Sequence, residues 1–334
     1  MQRINLTPFA AEHTVLLDAL GFERLLVVIK ATYSIARGTP QVLEMQEPVV
    51  LADEYHAAPE ASSLRRAGEM PLDKPGTEVV VLGSAFSAQP GANEVMVGLE
   101  LGRIRKAVRV VGERVWAGEA APVMTRPASF ERMPLTWERA YGGRDDTGSQ
   151  PEVWPENPVG RGFRGSGSRL PIDGAPLPNL EDPSQPIRSP GDRHAACGLG
   201  PIAPWWSPRP RYAGSYGAAY MKERFPLLPE DFNPLYHHTA PHDQILPGPL
   251  AGDEVLTLTG VRPGAGGYSF PLPVPRSEIV VRFGRERIAA PARVDTVIID
   301  TDAEQLSLIS RASVSVHMRL HRLSWIKIQE AAQA

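Results

Sequence analysis

The feature that most constrains the fold of this chain is an apolar pattern of period two, found in several short segments. The clearest case is residues 24–35, where an apolar block is followed by strict alternation. The alternating residues form an apolar and a polar face of a half-buried strand, Ile29, Ala31, Tyr33 and Ile35 against Lys30, Thr32 and Ser34. No apolar pattern of helical period is sustained over three turns, so the chain is predicted to be mainly β.

Other segments with strand character extend this prediction along the chain. Two hairpins are predicted, one joining residues 15–17 to 24–35 and one joining 94–101 to 104–111. Further strands are predicted at 78–86, 254–261, 278–283, 294–300 and 306–316, and short helical turns at 134–141 and 216–224. Parallel βαβ units require crossover helices, which are not predicted here. The expected architecture is an antiparallel β-sandwich-like fold or two packed sheets, with long ordered Pro/Gly-rich loops and only short helices.

The loops are expected to be long because the chain contains 34 prolines and 30 glycines. Most of the prolines and four of the six tryptophans fall in residues 122–250. A disordered linker is poor in aromatic residues, so this segment is predicted to be ordered and packed over the sheets. The chain is therefore predicted to form a single compact domain over residues 1–334, in which strand-rich flanks, 1–121 and 251–334, enclose the loop-rich centre, 122–250.

Charge and composition exclude several classes of partner. The net charge is −3 with both signs interspersed, which does not favour nucleic-acid binding. The apolar run Leu25–Ile29 is too short to cross a bilayer, and the first residues lack the apolar core of a secretory signal. Because Cys197 is the one cysteine in the sequence, the chain cannot form an internal disulfide, and this is typical of a protein from a reducing compartment. The expectation is a cytoplasmic protein that binds no nucleic acid and no membrane.

Two glycine strings match the spacing of motifs that carry chemistry. Residues 160–165 and 198–203 resemble a dinucleotide fingerprint, but that motif needs a strand before the first glycine and a helix after the third. Residues 213–217 match a relaxed nucleophile elbow, yet a proline-rich stretch precedes them in place of a strand. All three are interpreted as turns, and no cofactor is predicted.

A group of histidines near residue 240 motivates an alternative function. His237, His238, His242 and Asp243 form the densest set of metal-ligating residue types in the chain. Pro241 disfavours the helix that would align His238 with His242. These histidines are predicted to make hydrogen bonds within an ordered loop, and the prediction assigns no metal site. A metal-dependent hydrolase centred on them stays as the alternative.

Arginines and large aromatic residues concentrate in the loops of the centre. These residue types dominate the energetically important positions of protein–protein interfaces. The opposing interpretation is that the same side chains fill the core beneath the loops. The protein-binding set consists of Arg161, Phe163, Trp205, Trp206, Arg209, Tyr212, Tyr216 and Phe232.

An ordered series of short strings through most of the chain resembles a bacterial domain-of-unknown-function family encoded beside VgrG and PAAR spike genes in type VI secretion clusters. The strings run over residues 73–79, 111–116, 133–143, 156–163, 177–181, 200–202, 228–232 and 240–244. Among them are Met133-Pro134-Leu135-Thr136-Trp137-Glu138-Arg139-Ala140-Tyr141-Gly142-Gly143 and Glu156-Asn157-Pro158-Val159-Gly160-Arg161-Gly162-Phe163.

The resemblance implies an effector adaptor or chaperone that catalyses nothing. Such a protein binds a toxic effector in the cytoplasm and promotes its loading on the VgrG–PAAR spike. The family supplies no catalytic residues to carry over, so the expectation is a non-enzyme. The same gene neighbourhood motivates a further alternative, an immunity protein.

Overall fold

The computed structural model describes residues 2–316 and 318–331. Strands are the main secondary structure. In chain order they are β1 (Gln2–Asn5), β2 (Ala10–Leu17), β3 (Glu23–Ser34), β4 (Gln41–Val42), β5 (Glu54–Tyr55), β6 (Leu64–Arg66), β7 (Thr77–Leu82), β8 (Ser84–Phe86), β9 (Glu94–Leu101), β10 (Ile104–Val111), β11 (Trp116–Ala117), β12 (Val123–Met124), β13 (Arg132–Pro134), β14 (Tyr141–Gly142), β15 (Arg144–Asp145), β16 (Glu152–Val153), β17 (Arg161–Gly162), β18 (Leu180–Glu181), β19 (Ile245–Leu246), β20 (Val255–Arg262), β21 (Gly266–Pro271), β22 (Ser277–Phe283), β23 (Glu286–Asp300), β24 (Gln305–Ser315) and β25 (Leu323–Glu330).

Helices are few and short. The described residues contain one α-helix, α1 (Ala218–Glu223), and six 3₁₀ turns, which are η1 (Trp137–Arg139), η2 (Arg209–Tyr212), η3 (Pro234–His237), η4 (His242–Gln244), η5 (Pro263–Ala265) and η6 (Leu320–Arg322). None of these helices has the length and apolar character needed to span a lipid bilayer.

The larger sheet is curled. Its main path runs β1-β25-β22-β23-β24-β3-β2, and β4, β7 and β19 pair with strands of this path or with one another. The curl brings the two edge strands together, because the Arg3 guanidinium donates to the Ala11 carbonyl at 2.7 Å and lies 3.0 Å from the Glu12 carboxylate. An inner apolar core fills the curl, with Leu25, Val27 and other residues of β3, β22, β24 and β25.

A smaller sheet packs on the larger one and completes the sandwich. Its strand order is β18-β10-β9-β20-β21. Alternate residues of β9, β10 and β20, such as Val97 and Leu99, pack against Val79 and Val81 of β7 and the distal parts of β3, β23 and β24. Sheet-on-sheet packing of this kind needs one apolar face per sheet, which the period-two pattern supplies.

The predicted mainly β fold is confirmed, and both predicted hairpins form, with β2 paired to β3 and β9 paired to β10. Strand β23 is longer than predicted, since it continues through Pro291 back to Glu286. Strands β1, β21 and β25 were not predicted. Three pairs are parallel, β1–β25, β7–β23 and β14–β17, although no crossover helix joins them.

The polar face of β3 differs from the expectation of a half-buried strand. Lys30 and Thr32 are both buried, because the segment before β7 lies across this face. The Lys30 ammonium lies 2.8 Å from the Glu69 carboxylate, and Gln46 bonds both backbone groups of Thr32, which accounts for their burial.

Candidate protein-binding site

The loop-rich centre is organised around one buried side chain, Asn157. Its amide nitrogen donates to the Trp137 carbonyl at 2.7 Å and to the Tyr141 carbonyl at 3.1 Å. The surrounding backbone approaches so closely that a Cβ at Gly160 would lie 2.6 Å from the Ala140 oxygen, and one at Gly142 would lie 2.8 Å from the Asn157 Cβ. The two longest strings of the resemblance therefore meet here, and their glycines serve close packing.

The first glycine string does not have the context of a nucleotide site. Its Arg161–Gly162 segment forms β17, which pairs in parallel with β14. No helix follows Gly165 before η2 in the described chain, so the third glycine does not lead into a helix N-terminus. The string is a short extended segment, and its interpretation as a turn was wrong.

Four of the eight predicted protein-binding residues are used mainly in the internal packing and pairing of the centre. Arg161 is partly buried, 3.1 Å from the Glu113 carboxylate. Phe163 is buried beside Trp154, at 5.6 Å between ring centroids. Trp206 and Arg209 are buried as well.

The contacts of these two buried residues hold the centre together. Trp206 packs edge-on against Trp137, with centroids 6.2 Å apart. Arg209 donates from Nη1 to the Ile202 carbonyl at 2.7 Å and from Nε to the Tyr236 carbonyl at 3.0 Å. In this structure these side chains stabilise the loops from within.

The other four predicted residues lie nearer the surface. Trp205 is 46% exposed and stacks on Tyr55, and Tyr216 is 55% exposed. Tyr212 and Phe232 are half-buried between η2 and η3, where the Tyr212 carbonyl accepts from the Asn233 amide at 3.0 Å. The eight residues do not form one patch.

An exposed apolar surface lies around α1 and the β2–β3 turn. We call it the hairpin–helix surface and define it by Leu20, Tyr216, Met221 and Phe225. Their side chains are 73%, 55%, 59% and 63% exposed. Only Tyr216 belonged to the predicted set. The others were missed because apolar residues in short turns and a short helix give no sustained periodic signal that separates exposed from buried positions.

Contacts between distant segments fix this surface. The Arg224 guanidinium donates to the Ala19 carbonyl in the β2–β3 turn. Gly21 of the same turn sits against Leu227, whose side chain would lie 3.2 Å from a Cβ at that position. The surface therefore consists of two segments held by both polar and apolar contacts.

A buried ionic cluster lies where the centre meets the larger sheet. Glu78 on β7 lies 2.5 Å from the Lys74 ammonium and accepts from the backbone amides of Thr239 at 2.6 Å and Ala240 at 3.0 Å. His238 lies beside the same carboxylate at 3.4 Å. Burial alone would raise the pKa of Glu78, but Lys74 and the hydrogen bonds from its neighbours hold this pKa well below its ordinary value.

The neighbouring charges are also paired. Arg311 on β24 bonds the Asp295 carboxylate and donates to the Glu69 carbonyl at 2.8 Å. Lys30, Lys74 and Arg311 are thus each paired with a buried carboxylate, and all three cations line a crevice of about 50 Å³. A balanced cluster of this kind ties the loops to the sheet.

The predicted histidine group does not converge on one point. His238 is buried and bonds the Pro75 carbonyl. His237 packs against Phe232, and burial lowers the pKa of His237 to about 4. His242 is exposed on η4. Among residues 2–316 and 318–331, no group of three His, Cys, Asp or Glu side chains is placed to hold a metal ion.

Cys197 lines a groove of about 790 Å³ between β10 and η4. The Lys106 ammonium lies 2.8 Å from the Asp243 carboxylate beside this groove. Burial raises the pKa of the Cys197 thiol to about 11, so the thiol stays protonated at neutral pH. The thiol is therefore a poor nucleophile at that pH.

Comparison with known proteins gives one match. The model of the family described as "Uncharacterized protein conserved in bacteria (DUF2169)" matches residues 20–311. Strands β1, β2 and β25 lie outside the matched residues. No curated protein matches the chain, and no solved structure does.

Proposed function

This chain belongs to the bacterial family DUF2169, and we propose that it acts by binding another polypeptide, without catalysing a reaction. The observation that carries the proposal is the hairpin–helix surface. Its four large apolar side chains are each more than half exposed on two segments that are held in place. Large apolar side chains exposed together on neighbouring segments of a folded domain are typical of a protein interaction site.

The rigidity of the loops supports binding. The turn before α1 is held by Asp231, whose carboxylate accepts from the Ser215 amide at 2.9 Å and from its hydroxyl at 2.7 Å. The turn after α1 is held by Arg224, which donates to the Leu228 carbonyl at 2.8 Å. A surface ordered before binding loses little conformational entropy when its partner arrives, and this favours affinity.

The identity of the partner comes from the resemblance of the sequence strings. We propose that the partner is a type VI secretion effector and that the protein acts in the cytoplasm as its adaptor or chaperone. Bound effector would then be loaded on the VgrG–PAAR spike.

The test is co-purification with the effector encoded beside this gene, followed by measurement of the dissociation constant. Met221→Glu places a charge on the hairpin–helix surface and should weaken binding at least about tenfold. Met45→Glu is the matched control, since Met45 is 87% exposed and lies outside that surface. Equal loss in both variants, or no binding by the wild type, refutes the proposal.

A second experiment separates the adaptor from the alternatives. In a strain lacking this protein, the effector should be less stable and less secreted. Unchanged stability and secretion would exclude the adaptor. Protection of a target cell from the toxin without a secretion defect would indicate an immunity protein.

A further inference from the structure

Strand β2 has a free edge. Its residues pair with β3 over an unbroken register from Ala10↔Lys30 to Leu17↔Glu23. The Asp18 amide donates inward to Phe22, whereas the Ala11 carbonyl accepts from Arg3 on the outer side. Because successive residues of a strand alternate in direction, the odd-numbered residues of β2 point their backbone groups away from β3.

Three of these outward-facing residues have no partner for their backbone groups. Within the described chain, the amides of His13, Val15 and Leu17 donate no hydrogen bond to another residue, and their carbonyls accept none. This stretch contains no proline, bulge or charged lysine, arginine, aspartate or glutamate. Burial is the main reason that the pKa of His13 is lowered, so His13 adds no charge at neutral pH.

The other edges of the two main sheets are short or are partly blocked. Strands β4, β18 and β19 have two residues each, and β1 has four. Strand β21 is longer. The Leu272 amide donates to the Glu254 carbonyl just before β20, so the alternation turns the backbones of Gly267, Ser269 and Pro271 outward. Proline has no amide hydrogen and blocks pairing there. Among these described edges, β2 offers the longest run of outward-facing residues whose amide and carbonyl groups are both free.

We propose that an extended segment of a partner polypeptide adds to this free edge of β2 as a further strand. The inference deepens the proposed function and rests on it, because it names the way in which the partner is held. The free edge runs directly into the hairpin–helix surface through Leu17, which is 47% exposed, and Leu20. Strand addition combines backbone hydrogen bonds for affinity with side-chain contacts for specificity.

The geometry favours a foreign segment over a second copy of this chain. Two β2 edges pairing antiparallel about Val15 would place the β2–β3 turn of one copy beside Ala10–Glu12 of the other. That space already holds β1 and the turn at residues 6–9, which Asn5 ties to Phe9 at 2.7 Å. A free segment of about five residues, roughly 17 Å long, fits the stretch from His13 to Leu17 without this clash.

The variant that tests the proposal is Leu17→Pro. It removes one outward amide hydrogen and leaves the bonds between β2 and β3 intact, since the Leu17 amide does not point towards β3. Leu17→Thr is the matched control, because it also removes the leucine side chain but keeps the amide. The expected result is effector binding at least about tenfold weaker for Leu17→Pro than for Leu17→Thr.

Hydrogen–deuterium exchange of the wild type provides a measurement that does not depend on a variant. Addition of the effector should slow exchange of the amides of His13, Val15 and Leu17. If the effector binds but these amides stay unprotected and both variants bind equally, strand addition is wrong while the adaptor function stands.

If the effector does not bind, the adaptor function fails. A second probe then tests whether the edge of β2 accepts an added strand. Displayed libraries of linear twelve-residue peptides would be selected on the wild type and counter-selected on Leu17→Pro. Enrichment of peptides with alternating apolar residues supports strand addition, and no enrichment overturns it. A wild-type dimer that Leu17→Pro converts to a monomer would show that the occupant is a second copy, which also overturns the proposal.

Discussion

Removing the Glu78 carboxylate is the sharpest test of how the loop-rich centre is attached to the sheet. In Glu78→Ala, the Lys74 ammonium, which is almost fully buried, keeps only the Thr296 hydroxyl at 3.0 Å. The backbone amides of Thr239 and Ala240 lose their acceptor at the same time. Three buried donors are therefore left without the carboxylate.

The expected decrease in the free energy of unfolding follows from these lost interactions. Breaking a buried ion pair by removing one partner costs about 3–5 kcal/mol, and each buried amide left without an acceptor costs about 1–3 kcal/mol. These contributions overlap, so we expect Glu78→Ala to lower the free energy of unfolding by at least about 4 kcal/mol. Lys74→Met should cost less, because the Glu78 carboxylate then keeps both backbone donors.

The assay is urea-induced unfolding of the wild type, the two single variants and the double variant. The double variant should lose at least about 1 kcal/mol less than the sum of the single variants, since it leaves no unpaired buried charge. Exchange of the amides at 237–243 should also accelerate in Glu78→Ala. A loss below about 1 kcal/mol for Glu78→Ala, or additive single variants, would refute this account of the cluster.

Three further predictions concern other buried groups. The pKa of His237 is lowered to about 4 in the folded chain, so the unfolded chain binds its proton first as the pH falls below 6.5. Unfolding free energy should therefore fall by on the order of 3 kcal/mol between pH 6.5 and pH 4, and His237→Gln should show a shallower slope in urea titrations. Gly160→Ala should lower stability by about 1–3 kcal/mol through its clash with Ala140, whereas Gly191→Ala, with open space around it, should be neutral in thermal unfolding. Because the pKa of Cys197 is about 11, iodoacetamide at pH 8 should modify it about a hundredfold more slowly in the folded chain than in urea.

Each of these three has an outcome that contradicts it. An unchanged pH slope in the His237 variant would show that another group is responsible. Equal melting temperatures for the two glycine variants would mean that the backbone near Asn157 can move apart at no cost. Equal alkylation rates in the folded and unfolded chain would place the thiol in water.

Most of the long strands could be predicted because their signal is local. Alternation along β3 and β10 reflects the geometry of an extended backbone, in which neighbouring side chains point to opposite faces. Strand β23 was predicted too short, because Pro291 and the polar residues around it interrupt the pattern although its backbone still pairs with β22. Strand β25 has a weak period-two pattern in the sequence and was not predicted. In the structure its alternating residues Ile326 and Ile328 are buried, as is Leu323.

For the candidate site, the sequence predicted the region of the chain but not which of its side chains are exposed. Loops rich in arginine and aromatic residues indicated a binding region, but the sequence did not distinguish buried Trp206 from exposed Trp205, which are neighbours in the chain. That difference depends on Trp137, about seventy residues earlier, against which one of the two rings packs. Local composition carries no information about such a partner.

The sequence by itself determined that this protein is built from strands, that its helices are short, and that its centre is ordered. These properties follow from side-chain alternation and from backbone preferences of proline and glycine, which act over a few residues. Only the tertiary structure decided that Lys30 is buried against Glu69, that β7 pairs in parallel with β23, and that one edge of β2 stays free. These outcomes depend on which distant segments meet, and that is set by the packing of the whole chain.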